Sequence, residues 1–351
     1  MKAVILMTRL SDYMLNCFRM WHIRSGVELH IVRLGVDPRE APFDFPDSLA
    51  GISFYEREAM NDAAINEMIL TLQPQLVICF GWADNGYLGA VRNRPTGTGA
   101  VMTMDTQWRG TFRQVLGMVW GRLRITHLFD FVWVPGTRQY RFARLIGFPK
   151  SRIREGLLVA NETNFAPILE SYSGAPIKRL VFIGRYLELK GLRELWQGFI
   201  DFHETHESDL TLVCIGTGPL EAEAPDHHSI QHLGFVQPKD FREVLKGGGI
   251  FILPSHREAW GLVVHEFAIA GFPMVLSKAV GAVDRFLDDD NGLLLKEVTP
   301  EAITRAVIKI DSLDEKTLAA MSRSSAAKGA ALTVDNWCAQ ADAFLKAAKR
   351  G

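Results

Sequence analysis

The chain has 351 residues, 48% of them hydrophobic and 23% charged, with a net charge of −1. That length allows two ordinary domains with their own cores, and the balance is that of a globular protein in water, with no global pull toward nucleic acid. Cys17, Cys79, Cys214 and Cys338 are too widely separated for a disulfide framework or a zinc site, and no apolar run reaches the ~20 residues of a membrane span. The apolar run at the N-terminus is too short for a signal peptide, so the expected location is cytoplasmic.

The chain opens on a strand at Ala3–Met7, with further strands at Leu29–Val32 and Ile52–Tyr55. Ile65, Met68, Ile69 and Leu72 share one helical face, and Pro74 closes that helix. Strands follow at Leu76–Phe80, Ala100–Thr103 and Phe131–Val134, the last leading through Pro135-Gly136 into a helix that runs to Leu145. Strands alternating with helices predict a parallel sheet. Asp105 follows the strand Ala100–Thr103 as a hydroxyl acceptor or as the cap of a helix starting near Trp108. After a linker at Tyr172–Pro176 the pattern restarts with a strand at Arg179–Ile183. It runs into Gly184-Arg185-Tyr186-Leu187-Glu188-Leu189-Lys190-Gly191 and a helix with Leu192, Leu195, Trp196, Phe199 and Ile200 on one face. Two cations at a helix start oppose its dipole, which favours an anion there.

Leu210–Ile215 is a strand ending in Gly216-Thr217-Gly218-Pro219, which lacks the third glycine of a dinucleotide fingerprint. Ile230–Leu233 precedes Gly234-Phe235-Val236, and Gly247-Gly248-Gly249 reads as a helix stop. Ile250–Leu253 is a buried strand, followed by a polar loop with Glu258 and a helix over Val264–Ala270 that carries Glu266. Strand, loop and helix start form the usual ligand crevice of an open α/β sheet. A carboxylate there can accept two hydroxyl donors at once, as a vicinal diol offers; two solvated acids is the bland alternative. Asp288-Asp289-Asp290-Asn291-Gly292 contains an Asp-x-Asp, read as an acidic turn before a strand at Leu293–Leu295, with no metal ligand expected. Helices over Ala302–Ile310, Glu315–Lys328 and Asn336–Lys349 complete the chain.

Glu258-x7-Glu266, preceded by Leu-Pro-Ser and followed by Ala270-Gly271-Phe272-Pro273, resembles the signature of family 4 retaining glycosyltransferases of the GT-B fold. Gly184-Arg185-x4-Lys190-Gly191 resembles the same family's diphosphate motif. The resemblance implies two Rossmann-like parallel-sheet domains facing a cleft. Residues 1–165 would form the acceptor-side domain and 175–332 the nucleotide-sugar domain. Residues 333–351 would be a final helix, opened by Trp337, that crosses back. Arg185 and Lys190 would grip the donor diphosphate, Glu258 would orient the sugar and Glu266 would hold the ribose. Trp260 and the backbone of Gly261, Leu262 and Val263 would lie near the sugar or phosphate. Gly216, Phe235 and Val236 would lie near the nucleotide. Asp105 stands where many members carry a His toward sugar or acceptor, and Asn161 takes the Asp position of the interdomain segment. The first βα turn, Thr8 to Asp12, lacks the paired glycines of many relatives.

The resemblance implies metal-independent, retaining transfer from a UDP- or GDP-type sugar, with no cofactor, to a glycan or lipid-linked glycan. The alternatives are an inverting GT-B transferase and a non-catalytic nucleotide-sugar-binding subunit of a polysaccharide-synthesis complex. Between Arg109 and Arg154 ten residues are basic and one, Asp130, is acidic. That excess fits an anionic membrane surface better than nucleic acid, for which no module is visible.

Overall fold

The computed structural model describes residues 1–35, 49–172 and 174–348. Ser173 of the expected linker and residues 349–351, with Lys349 of the expected last helix, lie outside them. The chain forms two compact units. The first comprises residues 1–159 and 333–351, the second residues 160–332.

The first unit alternates β1 (Lys2–Leu6), α1 (Asp12–Ser25), β2 (Glu28–Arg33), β3 (Ile52–Glu56), α2 (Asp62–Leu72), β4 (Leu76–Phe80) and α3 (Asn85–Arg92). It continues with β5 (Gly99–Thr103), α4 (Phe112–Arg124), β6 (Phe131–Trp133), α5 (Thr137–Ile146) and β7 (Ile153–Arg154). Its sheet has seven parallel strands in the order β3-β2-β1-β4-β5-β6-β7. The central strands are buried on both faces, which is why they read as unbroken apolar runs.

The second unit begins with α6 (Glu162–Leu169), β8 (Arg179–Ile183), α7 (Leu192–Thr205), β9 (Thr211–Ile215), β10 (Ile230–His232) and α8 (Phe241–Val244). It ends with β11 (Ile250–Leu253), α9 (Leu262–Ile269), β12 (Met274–Ser277), α10 (Val283–Phe286), β13 (Gly292–Leu295), α11 (Pro300–Asp311) and α12 (Glu315–Ala330). Its six strands are parallel, in the order β10-β9-β8-β11-β12-β13. Strand order reverses between β8 and β11, and a ligand crevice opens beyond the carboxyl ends of strands at such a switch point.

One expected boundary shifts. Residues 160–165 belong to the second unit, because Phe165 of α6 is buried there against Phe241, 5.6 Å between ring centroids. The last helix, α13 (Val334–Ala348), groups with the first unit. Trp337 of α13 packs on Trp133 at 4.8 Å and donates from Nε1 to the Leu157 carbonyl at 2.9 Å. All four cysteines are buried and unbridged. Among the described residues, no helix is long and apolar enough to cross a membrane.

Candidate active site

The expected site residues of the second unit follow the carboxyl ends of β8, β9, β10 and β11. Two loops with tight backbone contacts place them. After β8 the chain makes one 3₁₀ turn, Glu188–Lys190, and stops at Gly191 with φ +70°. A Cβ on Gly191 would come within 2.1 Å of the Pro254 carbonyl oxygen, so only glycine lets the two loops close on each other. Arg257 N–H donates to the Leu189 carbonyl at 3.2 Å, and His256 Nε2 lies 2.8 Å from a Glu194 carboxylate oxygen. This closure brings Lys190 to Glu258: its Nζ donates to Glu258 Oε2, and both side chains are largely buried.

Glu258 is fixed from a third direction. It bridges Val280 in the loop after β12, and Gly281 N–H donates to the Glu258 carbonyl at 3.2 Å. Gly261, at φ +84°, turns the chain into α9. The N–H groups of Leu262 and Val263 in that first turn fall outside the helix ladder and offer donors to an anion. Trp260 is buried, and among the described residues its Nε1 has no hydrogen-bond partner. Glu266 is half-buried on α9.

The loops after β8 and β9 are also locked together. Tyr186 N–H donates to the Thr217 carbonyl at 2.8 Å, and a Cβ on Gly216 would meet the Gly184 carbonyl oxygen at 2.0 Å. Tyr186 is buried beneath them, its hydroxyl 2.9 Å from His232 Nδ1, and burial pushes its pKa up. Tyr186 and His232 are support residues that the motif comparison passes over; their signal lies in the apolar surroundings of the loop. Arg185 and Phe235 are exposed, and Val236 is half-buried beyond β10.

Other expectations resolve differently. Asp105 belongs to the first unit, past β5. It does not cap a helix near Trp108, because α4 begins at Phe112 and Thr111 caps it through Gln114 N–H at 3.3 Å. Asp105 is exposed, yet desolvation by the protein around it raises its carboxyl above the ordinary value, against hydrogen bonds from its own backbone and from Thr106. The Asp288 turn is built by local contacts: Asp288 pairs with Lys328 at 2.8 Å and accepts from Asp290 N–H at 3.1 Å. The basic excess between residues 109 and 154 is not without local partners. Arg144 donates to the Phe148 carbonyl, Arg152 to those of Asp130, Thr126 and Phe129, and Arg154 to those of Ser151 and Ile153. A cavity of about 350 Å³ lined by Arg94, Asp130 and Phe344 lies where β4 and β5 begin, away from every expected site residue.

Residues 177–311 match the family model described as Glycosyl transferases group 1. An uncharacterized glycosyltransferase of Methanocaldococcus jannaschii is 26% identical over 140 residues, which is 38% of this chain and 35% of that protein. A probable sucrose-phosphate synthase of Craterostigma plantagineum is 37% identical over 94 residues, 27% of this chain and 8% of that protein. The chain thus spans about a third or less of the length of these relatives. HepE of Anabaena, solved in complex with UDP and glucose, superposes with a TM-score of 0.71 over 99% of this chain and 100% of that one, at 12% identity. Two parallel-sheet units that superpose over whole chains in this way make the GT-B fold.

Proposed function

We propose that the protein transfers a sugar from a nucleotide-sugar donor to a glycan or lipid-linked glycan acceptor, with retention at the anomeric carbon and without a metal ion. The observation that carries this is the convergence of Lys190, Glu258 and the Gly261 helix start at the switch point of the second sheet, inside the segment that matches the group 1 model. In this reaction the bond from the anomeric carbon to the diphosphate oxygen breaks, and a bond to an acceptor hydroxyl oxygen forms. The hydroxyl proton leaves with the diphosphate. Charge gathers on that leaving group, and Lys190, Arg185 and the N–H groups of Leu262 and Val263 would meet it. Each stabilises the transition state more than the ground state, which is the condition for catalysis. These groups do the work a metal does elsewhere, so turnover should be insensitive to a chelator.

Glu258 turns its carboxylate to the sugar hydroxyls, Glu266 accepts from the ribose, and Trp260 Nε1 offers a donor. Gly216, Phe235 and Val236 border the base. Asp105, with its raised pKa, faces the acceptor side as a hydroxyl partner. The UDP held by the HepE neighbour supports a UDP-type donor. The reading places the protein in the cytoplasm, with access to a membrane face.

The test is a thermal-shift screen of UDP, GDP and their sugars. A ligand at 100 times its dissociation constant should stabilise by ~2.7 kcal/mol. Proton NMR of the product anomer, with and without EDTA, then decides retention and metal use. An inverted product, or activity lost to EDTA and restored by Mn²⁺, would overturn the corresponding half.

A further inference from the structure

Helix α4 turns its apolar face away from the protein. Phe112, Val115, Leu116, Val119, Trp120 and Leu123 are all exposed, Phe112 by 78% and Leu123 by 69%. At ~100° per residue the six fall within an arc of ~140°. Gly121 lies on the opposite side and is the buried residue of the helix. A Cβ there would sit 2.9 Å from Ile146 Cγ2, so this is where α4 closes on α5. Arg113 and Arg124 border the stripe on one side and Arg122 on the other, all exposed. Between Trp108 and Phe129 the sequence has no acidic residue.

We propose that α4 lies in the plane of an anionic lipid bilayer, with its stripe among the acyl chains and its arginines among the headgroups. An amphipathic helix with aromatic and leucine residues on one face and arginines along the borders binds membranes in this way. Charge complementarity selects this occupant. A second copy meeting this face about a two-fold axis would set the same arginines against one another, with no acid in the segment to pair them. A bilayer carrying negative headgroups satisfies both borders at once and takes up the apolar arc. α4 leads directly from the β5 end that carries Asp105, so a lipid-linked acceptor would arrive on that side of the unit.

The experiment is flotation of the full chain with phosphatidylcholine vesicles, with and without phosphatidylglycerol. The wild type should float with the anionic vesicles, and less so as salt rises from about 50 to about 200 mM. Leu116→Ser with Leu123→Ser should weaken binding at least ~tenfold and leave the fold intact, since both side chains are exposed. Brominated lipid should quench part of the tryptophan fluorescence in the wild type. Trp120→Phe should still float but lose that part. No flotation with anionic vesicles at low salt overturns the proposal. So does salt-sensitive binding that the double leucine variant retains, which would be surface charge alone. A dimer in sedimentation that the same variant dissolves would assign the stripe to a second copy. None of these readouts needs sugar transfer, so a failure here leaves the donor-site reading standing.

Discussion

Lys190 donates to Glu258 across the mouth of β8 and β11, so the two side chains neutralise each other. A diphosphate entering between them competes with Glu258 for the ammonium. Replacing the two residues should therefore affect UDP binding differently. Lys190→Ala should lower turnover by ~2–4 kcal/mol of transition-state stabilisation and weaken UDP binding. Glu258→Gln should also lower turnover, yet bind UDP as tightly as the wild type or up to about tenfold tighter, because Lys190 no longer has a carboxylate to leave. Titration calorimetry with UDP separates the two, and weaker UDP binding in Glu258→Gln would refute the exchange.

On the proposed reading Glu266 holds the ribose, a part of the donor that does not change during reaction. Glu266→Ala should raise KM and the dissociation constant for the nucleotide sugar while kcat stays near wild type. A fall in kcat at unchanged KM would move Glu266 from ribose binding to the reacting centre.

Gly261 serves two ends at once. Its φ of +84° suits glycine, and a Cβ would lie 2.9 Å from Glu258 Cγ. Gly261→Ala should cost about 1–2 kcal/mol in stability for the left-handed backbone. It should lose more than that in activity, because Glu258 must move to admit the methyl group. Thermal melts and turnover on one preparation compare the two losses; activity that falls no further than stability would argue against the contact.

His265 predicts a pH dependence. It is buried in the second unit, where Nδ1 accepts from Ala160 N–H at 3.1 Å and Nε2 donates to the Gly329 carbonyl at 3.0 Å. Burial lowers its pKa from 6.5 to about 4, with Arg285 acting in the same direction. The neutral ring is the one that fits, so its contribution is complete above pH 6.5. The unfolded chain takes up its proton first as pH falls, and stability drops by ~3 kcal/mol on the way to pH 4. Urea midpoints between pH 7 and pH 4 should show this, and the slope should flatten in His265→Gln. An equal slope in both proteins would place the pH response elsewhere.

Sequence reading succeeded where a strand is bounded by its own chemistry. Leu76–Phe80, Arg179–Ile183 and Ile250–Leu253 appear with the expected ends, because proline, glycine or charge brackets each apolar run. It missed β12, whose four buried residues directly follow Pro273 and leave no room for a pattern. It missed α6, which carries Pro167 inside the helix. For the site, motif spacing brought Arg185, Lys190, Glu258 and Glu266 forward. It could not show that Lys190 and Glu258 meet, or that the Val280 loop holds Glu258, since both contacts join segments that only the sheet order makes neighbours. The α4 stripe has the periodicity of a core-facing helix; which side of a helix meets the protein is decided by packing, here by Gly121 against Ile146.

The return of α13 to the first unit bears on how the polypeptide is made. The second unit is one uninterrupted stretch, residues 160–332. The first is not: Trp21 Nε1 and Ser25 Oγ both donate to Asp342 at 2.8 Å, and Trp337 covers Phe18, Trp21 and Trp133. On the ribosome the later-synthesised unit therefore has all its parts before the earlier one does. Trp21 and Trp133 stay without their Trp337 contacts until α13 has emerged, so the half that is translated first is the half that finishes folding last.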